Sequence, residues 1–249
     1  MPGVTAVIPA RLESTRFPRK ALADDTGTPL IIHVAHRAAE SDRIDQVIIA
    51  SDADAILDAA RQHGFEARST RADHLNGTTR IAEVAQALDC ELVVNVQADE
   101  PEIDPTVIDA AVEALEANPD CQVGTVASPM SLEEDPADPN LVKVVLDQSD
   151  EALYFSRAQI PHERDGDGAT PPLRHVGLYV YRRAFLPVYA ALEPTPAELS
   201  EKLEQLRILE HGHRIAVAVR SSHHHGIDTP EQYRAFVARY GKRARQSQD

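Results

Sequence analysis

Short apolar runs alternate with helix-patterned stretches through the first half of this chain. That rhythm restricts the possible fold more than any other property. Residues 4–8, 46–50, 65–68 and 92–96 have the length and composition of strands. Between and after them, residues 29–40, 53–63, 78–88 and 105–116 carry apolar side chains at helical spacing; Ile31, Val34, Ala35 and Ala38 share one face of the first. Gly64 closes the second of these helices, and Asp104 with Pro105 suits the N-cap and first turn of the fourth. Strands separated by helical crossovers predict an α/β fold: parallel strands in a three-layer arrangement, with ligands over the strand carboxyl ends.

After Cys121 the rhythm changes. Residues 123–127, 142–146, 153–156 and 177–181 are β-rich, with turns such as 147–150 between them, and predict antiparallel strands added to the sheet. The polar, Gly- and Pro-containing stretch 163–172 reads as a mobile surface loop. Residues 201–211 return to helix, 214–219 to strand and 230–240 to a last helix. With no internal repeat and no linker, the 249 residues read as one mixed domain, mostly parallel, with a smaller β-rich subregion.

A formal net charge of -15 argues against nucleic acid as a partner, because a phosphate backbone needs a basic face. No run approaches the ~18 apolar residues of a membrane span, and the N-terminal residues lack the pattern of a secretory signal. Cys90 and Cys121 are too few and too separated for a disulfide framework or metal knuckle, so the expectation is a cytoplasmic protein with two reduced thiols.

Against that acidic background one loop stands out. Directly after the first strand come Arg11, Arg16, Arg19 and Lys20, with Ser14 and Thr15, against the single carboxylate Glu13. No glycine and no G-K-[ST] ending is present, so this is not a Walker A loop. Charge alone fits a solvated basic loop. The order of cations and hydroxyls after a strand tips the reading to phosphate binding.

Three further segments carry candidate chemistry. Asp99 and Glu100 follow the strand at 92–96, either as ligands for Mg²⁺ or as acids at a helix-start turn, and the residues support both equally. Asp228, in GIDTP, is either a second metal-facing carboxylate or an N-cap; spacing favours the cap, with Thr229 as a rival for it. Asn76-Gly77 opens a helix whose free N–H groups, with Arg71 and Arg80, either grip a base or phosphate or form an ordinary helix start. The run His223-His224-His225 lacks metal-ligand spacing and reads as solvated imidazoles, and His175 has no role that the residues alone assign.

The ordered blocks PARLESTRFPRK, TRADHLNGTTRIAE, VNVQADEP, VKVVLD, ALYFSRAQIP, RHVGLYVYRR, EKLEQLRILEHG and GIDTPE span about residues 4 to 240. Together they resemble the 3-deoxy-D-manno-octulosonate cytidylyltransferases, or CMP-KDO synthetases. The resemblance implies a Rossmann-like, GT-A-like nucleotidyltransferase fold in a cytoplasmic homodimer. It implies that CTP is coupled to KDO, an acidic eight-carbon sugar, giving CMP-KDO and diphosphate for lipopolysaccharide synthesis. About 1–120 would then be the nucleotide-binding half, about 121–225 the sugar-binding and dimerisation subregion, and 226–249 the metal-binding aspartate, C-terminal helix and tail.

By the same resemblance, Arg11, Ser14 and Lys20 match the triphosphate loop, and Arg71, Asn76, Gly77, Thr78 and Arg80 the block that holds cytidine. Asp99 and Asp228 match two aspartates that bind Mg²⁺, and Arg11, Lys20, Asp99 and Asp228 form the catalytic set. Gln97, Arg157, His175, Tyr179, Glu204 and Gln205 match the sugar-acid side. Departures from the family pattern are Ala98 and Arg19 where glycine is usual, with Asn76, Thr79 and His162. They bear on base contact and on which sugar acid is used, so an amino-substituted relative such as 8-amino-KDO is an alternative substrate. A sugar-1-phosphate nucleotidyltransferase usually has a glycine-rich first loop, which is missing here; a non-catalytic nucleotide-binding protein would have no need of Asp99, Asp228, Arg11 and Lys20.

Overall fold

The computed structural model describes residues 3–13, 16–164, 171–222 and 226–246, with side chains described as far as residue 242. Ser14, most of the loop expected at 163–172, and the His223–His225 run therefore lie outside the described residues. The chain divides into two compact units. The first comprises residues 1–90, 95–105 and 224–249, and the second 91–94 and 106–223.

The first unit begins with β1 (Val4–Ala10), α1 (Leu30–Ala39), β2 (Gln46–Ser51), α2 (Asp54–Gln62), β3 (Glu66–Ser69) and α3 (Gly77–Ala85). These strands pair in parallel in the order β3-β2-β1, with Ile8 opposite Ile49 and Ile48 opposite Glu66. All seven residues of β1 are buried, as a parallel strand covered on both faces requires. Gly64 closes α2 at φ 81, the left-handed geometry that only glycine adopts without strain. The chain then runs through β4 (Leu92–Asn95), and beyond it the Val96 amide donates to the Val7 carbonyl at 3.3 Å.

The second unit takes up α4 (Pro105–Ala117) after its first residue, then β5 (Val123–Pro129), β6 (Lys143–Leu146), β7 (Ala152–Ser156) and β8 (Leu173–Arg182). It ends with α5 (Leu186–Ala191), α6 (Pro196–Glu201), α7 (Gln205–Glu210) and β9 (Ile215–Val219). Its strands run in the order β4-β8-β5-β9; β5 is antiparallel to β8 and parallel to β9, and β6 joins β7 and β8 antiparallel. At Gly124 an added Cβ would lie 2.7 Å from the Ala111 carbonyl oxygen, so α4 packs directly onto the backbone of β5. The fully buried Lys143 is satisfied by the backbone: its ammonium donates to the carbonyls of Asp138 (2.9 Å), Leu141 (2.5 Å) and Arg157 (2.6 Å).

The fold departs from the sequence pattern at three places. The helix expected over 201–211 is confined to α7, because Lys202 turns left-handed (φ 56) and ends α6, a helix the sequence did not announce, at Glu201. The strand expected at 177–181 begins at Leu173, so His175 lies within β8 rather than before it. The short α5 had no counterpart in the reading; at 6 residues it is too brief for a periodic pattern to declare itself.

The last element, α8 (Pro230–Gln246), belongs to the first unit. Tyr233 and Phe236 on α8 join Leu30 and Ile227 in one buried cluster, with Phe17, Ala23 and Val237 packed against it. At about 1.5–3 kcal/mol for each large side chain buried, this cluster is what carries the C-terminal segment to the loop after β1.

Candidate active site

Lys20 is the hub of the first unit. Its ammonium donates to Asp99 Oδ2 at 2.9 Å, to the Ile227 carbonyl at 2.6 Å and to Asp228 Oδ1 at 3.5 Å. Arg16 adds a second cation 3.0 Å from Asp228 Oδ1. Residues 20, 99 and 228, separated by up to 208 positions, thus meet at one point. A backbone bond fixes two of them: the Ile227 amide donates to the Asp99 carbonyl at 2.8 Å.

The structure decides the cap question for Asp228. Thr229 accepts from the Gln232 amide at 3.3 Å, and Gln232 Oε1 accepts from the amides of Thr229 (2.9 Å) and Asp228 (2.7 Å). This reciprocal capping box makes Thr229 the N-cap and frees the Asp228 carboxylate for Lys20 and Arg16. The preference drawn from spacing alone was wrong because it weighed the cap residue without its partner three residues into the helix.

Burial pushes the Asp99 carboxyl above its ordinary value; Lys20 pulls it back, while Glu100 and Asp228 raise it further. Burial is thus the larger influence, and the charged form of Asp99 leans on Lys20. Two carboxylates brought to one point form a donor set that fits a hard divalent cation such as Mg²⁺, which takes one or two protein carboxylates and fills its shell with phosphate oxygens and water.

The loop that holds Lys20 is bound at its base by the Arg19 amide donating to the Leu12 carbonyl at 3.2 Å. Phe17 anchors it on Tyr233, the ring centroids 5.4 Å apart. Arg19 adopts φ 59, which gives the departure from glycine a physical meaning: an L-residue stands in a left-handed conformation. Arg11 follows β1 at the mouth of the loop and is exposed.

The expected cytidine block is arranged less uniformly. Asn76 is the N-cap of α3, its side chain accepting from the Thr79 amide at 2.8 Å. A Cβ on Gly77 would lie 3.1 Å from the Pro9 ring, so a side chain here would have to push this helix start a few tenths of an ångström off the end of β1. Thr78 is buried; Arg71 is exposed and reaches Glu83 (3.5 Å) and Asp73 (3.6 Å). Arg80 is buried and committed to Asp52 Oδ1 at 2.9 Å and to the Thr70 hydroxyl. Asp52 was not foreseen as part of this block, and Thr70, its first residue, had been given no role; the position of Asp52 just past β2 was the available sign. Gln97 lies in the same unit and donates to Asn95 Oδ1 at 2.9 Å.

The other residues expected on the sugar-acid side all belong to the second unit. Arg157 spends its guanidinium on the carbonyls of Glu201 (2.7 Å) and Pro139 (2.8 Å), and its amide donates to the Glu201 carboxylate at 3.0 Å. His175 and Tyr179 pack as neighbouring rings on β8, centroids 5.3 Å apart, with Phe155 edge-on to His175 at 5.0 Å. Burial raises the Tyr179 hydroxyl well above its ordinary value, assisted by Tyr181 and Glu204. Glu204 Oε2 accepts from the Tyr189 hydroxyl at 3.4 Å, and Gln205 is buried. Among the described residues no cluster of three or more His, Cys, Asp or Glu side chains is arranged as a metal site, and no helix is long and apolar enough to cross a membrane.

A cationic loop after the first strand of an α/β fold, with two distant carboxylates drawn onto its lysine, defines the nucleotidyltransferase class. The chain belongs to the cytidylyltransferase family, whose model matches residues 5–215, and within it to the 3-deoxy-manno-octulosonate cytidylyltransferases. It is 48% identical over 228 residues to the protein of that name from Solibacter usitatus, covering 92% of this chain and 90% of the relative. With the one from Geobacter metallireducens it shares 44% identity over 249 aligned residues, covering 96% and 98%. A solved structure of CMP:2-keto-3-deoxy-manno-octonic acid synthetase complexed with CTP matches with a TM-score of 0.92 at 36% identity, over 97% of this chain and 99% of that one. The fold is accordingly the α/β nucleotidyltransferase fold, a mixed sheet of mostly parallel strands flanked by helices.

Proposed function

We propose that the chain is a 3-deoxy-manno-octulosonate cytidylyltransferase, coupling CTP to KDO with release of diphosphate and supplying CMP-KDO for lipopolysaccharide synthesis. The observation that carries this is the meeting of Lys20, Asp99 and Asp228 in a chain 48% identical to a relative of that name. On this reading the enzyme works in the cytoplasm as a homodimer with Mg²⁺.

The chemistry follows from charge. The anomeric hydroxyl of the sugar acid attacks the α-phosphorus of CTP, the bond to the β-phosphate breaks, and the hydroxyl proton is lost to solvent. Both reactants are anions, so neutralisation comes first. Arg11, Arg16 and Lys20 draw the triphosphate to the loop after β1, and Lys20 turns from its carboxylates to the charge developing on the leaving diphosphate. Asp99 and Asp228 would hold Mg²⁺, which supplies positive charge to the phosphates and lowers the pKa of a bound hydroxyl. The N-terminus of α3, with Asn76, Gly77 and Thr78, presents backbone donors to the nucleotide. Arg80, held by Asp52 and Thr70, supports that helix start from beneath. His175, Tyr179, Glu204 and Gln205 are assigned to orienting the sugar acid, where in-line placement supplies much of the acceleration; Arg157, its guanidinium given to the Glu201 and Pro139 carbonyls, is assigned to holding the fold around them.

The test is diphosphate release with each of the four NTPs against KDO, 8-amino-KDO, other ulosonic acids and sugar 1-phosphates, with and without Mg²⁺. Turnover confined to CTP with KDO, and dependent on the metal, is expected. A preference for a sugar phosphate, or equal rates with all four NTPs, would refute the assignment.

A further inference from the structure

His175 lies beside a threonine whose single proton is already committed. Thr125 on β5 stands at a break in the pairing with β8: Thr125 is opposite Tyr179, the next residue Val126 is opposite Val176, and Gly177 and Leu178 are left without partners on β5. Into this bulge Thr125 Oγ1 points at the Leu178 carbonyl at 2.6 Å, and at His175 Nε2 at 3.0 Å. Two oxygens 2.6 Å apart need a proton between them, and the carbonyl has none to give. The hydroxyl therefore donates to Leu178, and the contact with His175 forms only if Nε2 carries hydrogen and donates to Oγ1.

From this chain of donors we infer that Thr125 is a positioning residue that holds His175 as the neutral Nε2–H tautomer, with Nδ1 a bare acceptor for a hydroxyl of the sugar acid. The inference rests on the reading of His175 as a sugar-acid contact and adds what that contact recognises. A bare Nδ1 has a lone pair and no charge, so it selects a donor and turns away the substrate's carboxylate. The ring is held in place by the Phe155 edge, by Tyr179 and by the His175 amide, which donates to the Val142 carbonyl at 2.8 Å. Burial, with Arg174 adding to it, lowers the imidazole to about 3, so it stays neutral through the physiological range.

The test has two readouts. Long-range proton–nitrogen NMR on histidine-labelled free protein, with His175 assigned through His175→Gln, reports the tautomer without any ligand. The wild type is expected to show Nε2–H and a bare Nδ1. Thr125→Val should raise KM for KDO by about tenfold, the worth of one misplaced hydrogen bond, and leave KM for CTP within about twofold. Thr125→Ser, which keeps the hydroxyl, should restore the KM for KDO. An Nδ1–H tautomer in the wild type, or an unchanged KM for KDO in Thr125→Val, overturns the proposal; if that variant does not fold, the wild-type tautomer decides. Unchanged KM for KDO in His175→Ala, with the expected tautomer, would instead remove the sugar-contact reading and leave the positioning of the ring intact.

Discussion

Asp99 is pulled in opposite directions by its surroundings. Burial, Glu100 and Asp228 disfavour its charge, and Lys20 favours it, with the balance on the disfavoured side. A fold selected for stability alone would not keep a carboxylate there. Asp99→Asn is thus expected to change unfolding free energy by less than about 1 kcal/mol in urea titrations. In steady-state assays it should cost at least tenfold in turnover, about 1.4 kcal/mol of barrier; a smaller loss would remove Asp99 from the cation site. His175 gives a pH prediction. Its folded value of about 3 lies below the ordinary 6.5, so the unfolded chain binds the proton more readily. That stability is complete above pH 6.5 and is lost as pH falls toward about 3. Between pH 7.5 and 5 the wild type should lose more stability than His175→Gln; equal slopes would mean the imidazole is not held neutral. Arg11 and Lys20 could be named from the order of residues after a strand. The commitments of Arg80 to Asp52 and of Arg157 to backbone carbonyls could not, since an arginine facing a ligand and one locked into the fold look alike in a sequence.

At the level of elements, the start of α8 joins stability to the site. Gln232 accepts from the Thr229 and Asp228 amides through one oxygen, so the same side chain that caps the helix fixes the backbone of Asp228. Gln232→Ala is expected to destabilise by about 1 kcal/mol in urea titrations. Its half-saturation for Mg²⁺ should rise several-fold while KM for KDO holds. An unaltered metal dependence would show that the cap serves the helix alone. The parallel strands and longer helices were legible because each carries its own period; β2 and α1, for example, lie within a residue of where the sequence puts them. Helices of six residues or fewer were harder. The division of α6 from α7 turns on Lys202 in a left-handed conformation, which no residue preference announces.

Across the whole molecule, the path of the chain makes the site. Residues 224–249 return to the unit formed by residues 1–90, and the cluster of Leu30, Ile227, Tyr233 and Phe236 secures that return. A net charge of -15 leaves the loop after β1 as a local cationic point in an anionic protein, which favours a compact anion over an extended one. The sequence by itself determined the α/β class, the cationic loop and, through eight ordered blocks, the family, because strand and helix periods and local charge order are properties of neighbouring residues. Only the tertiary structure decided that Asp228 faces Lys20 instead of capping its helix, that Asn76 caps α3, and that Thr125 shares its oxygen with His175. Each of those outcomes depends on which distant groups compete for the same few donors and acceptors, and that competition exists only once the chain has closed on itself.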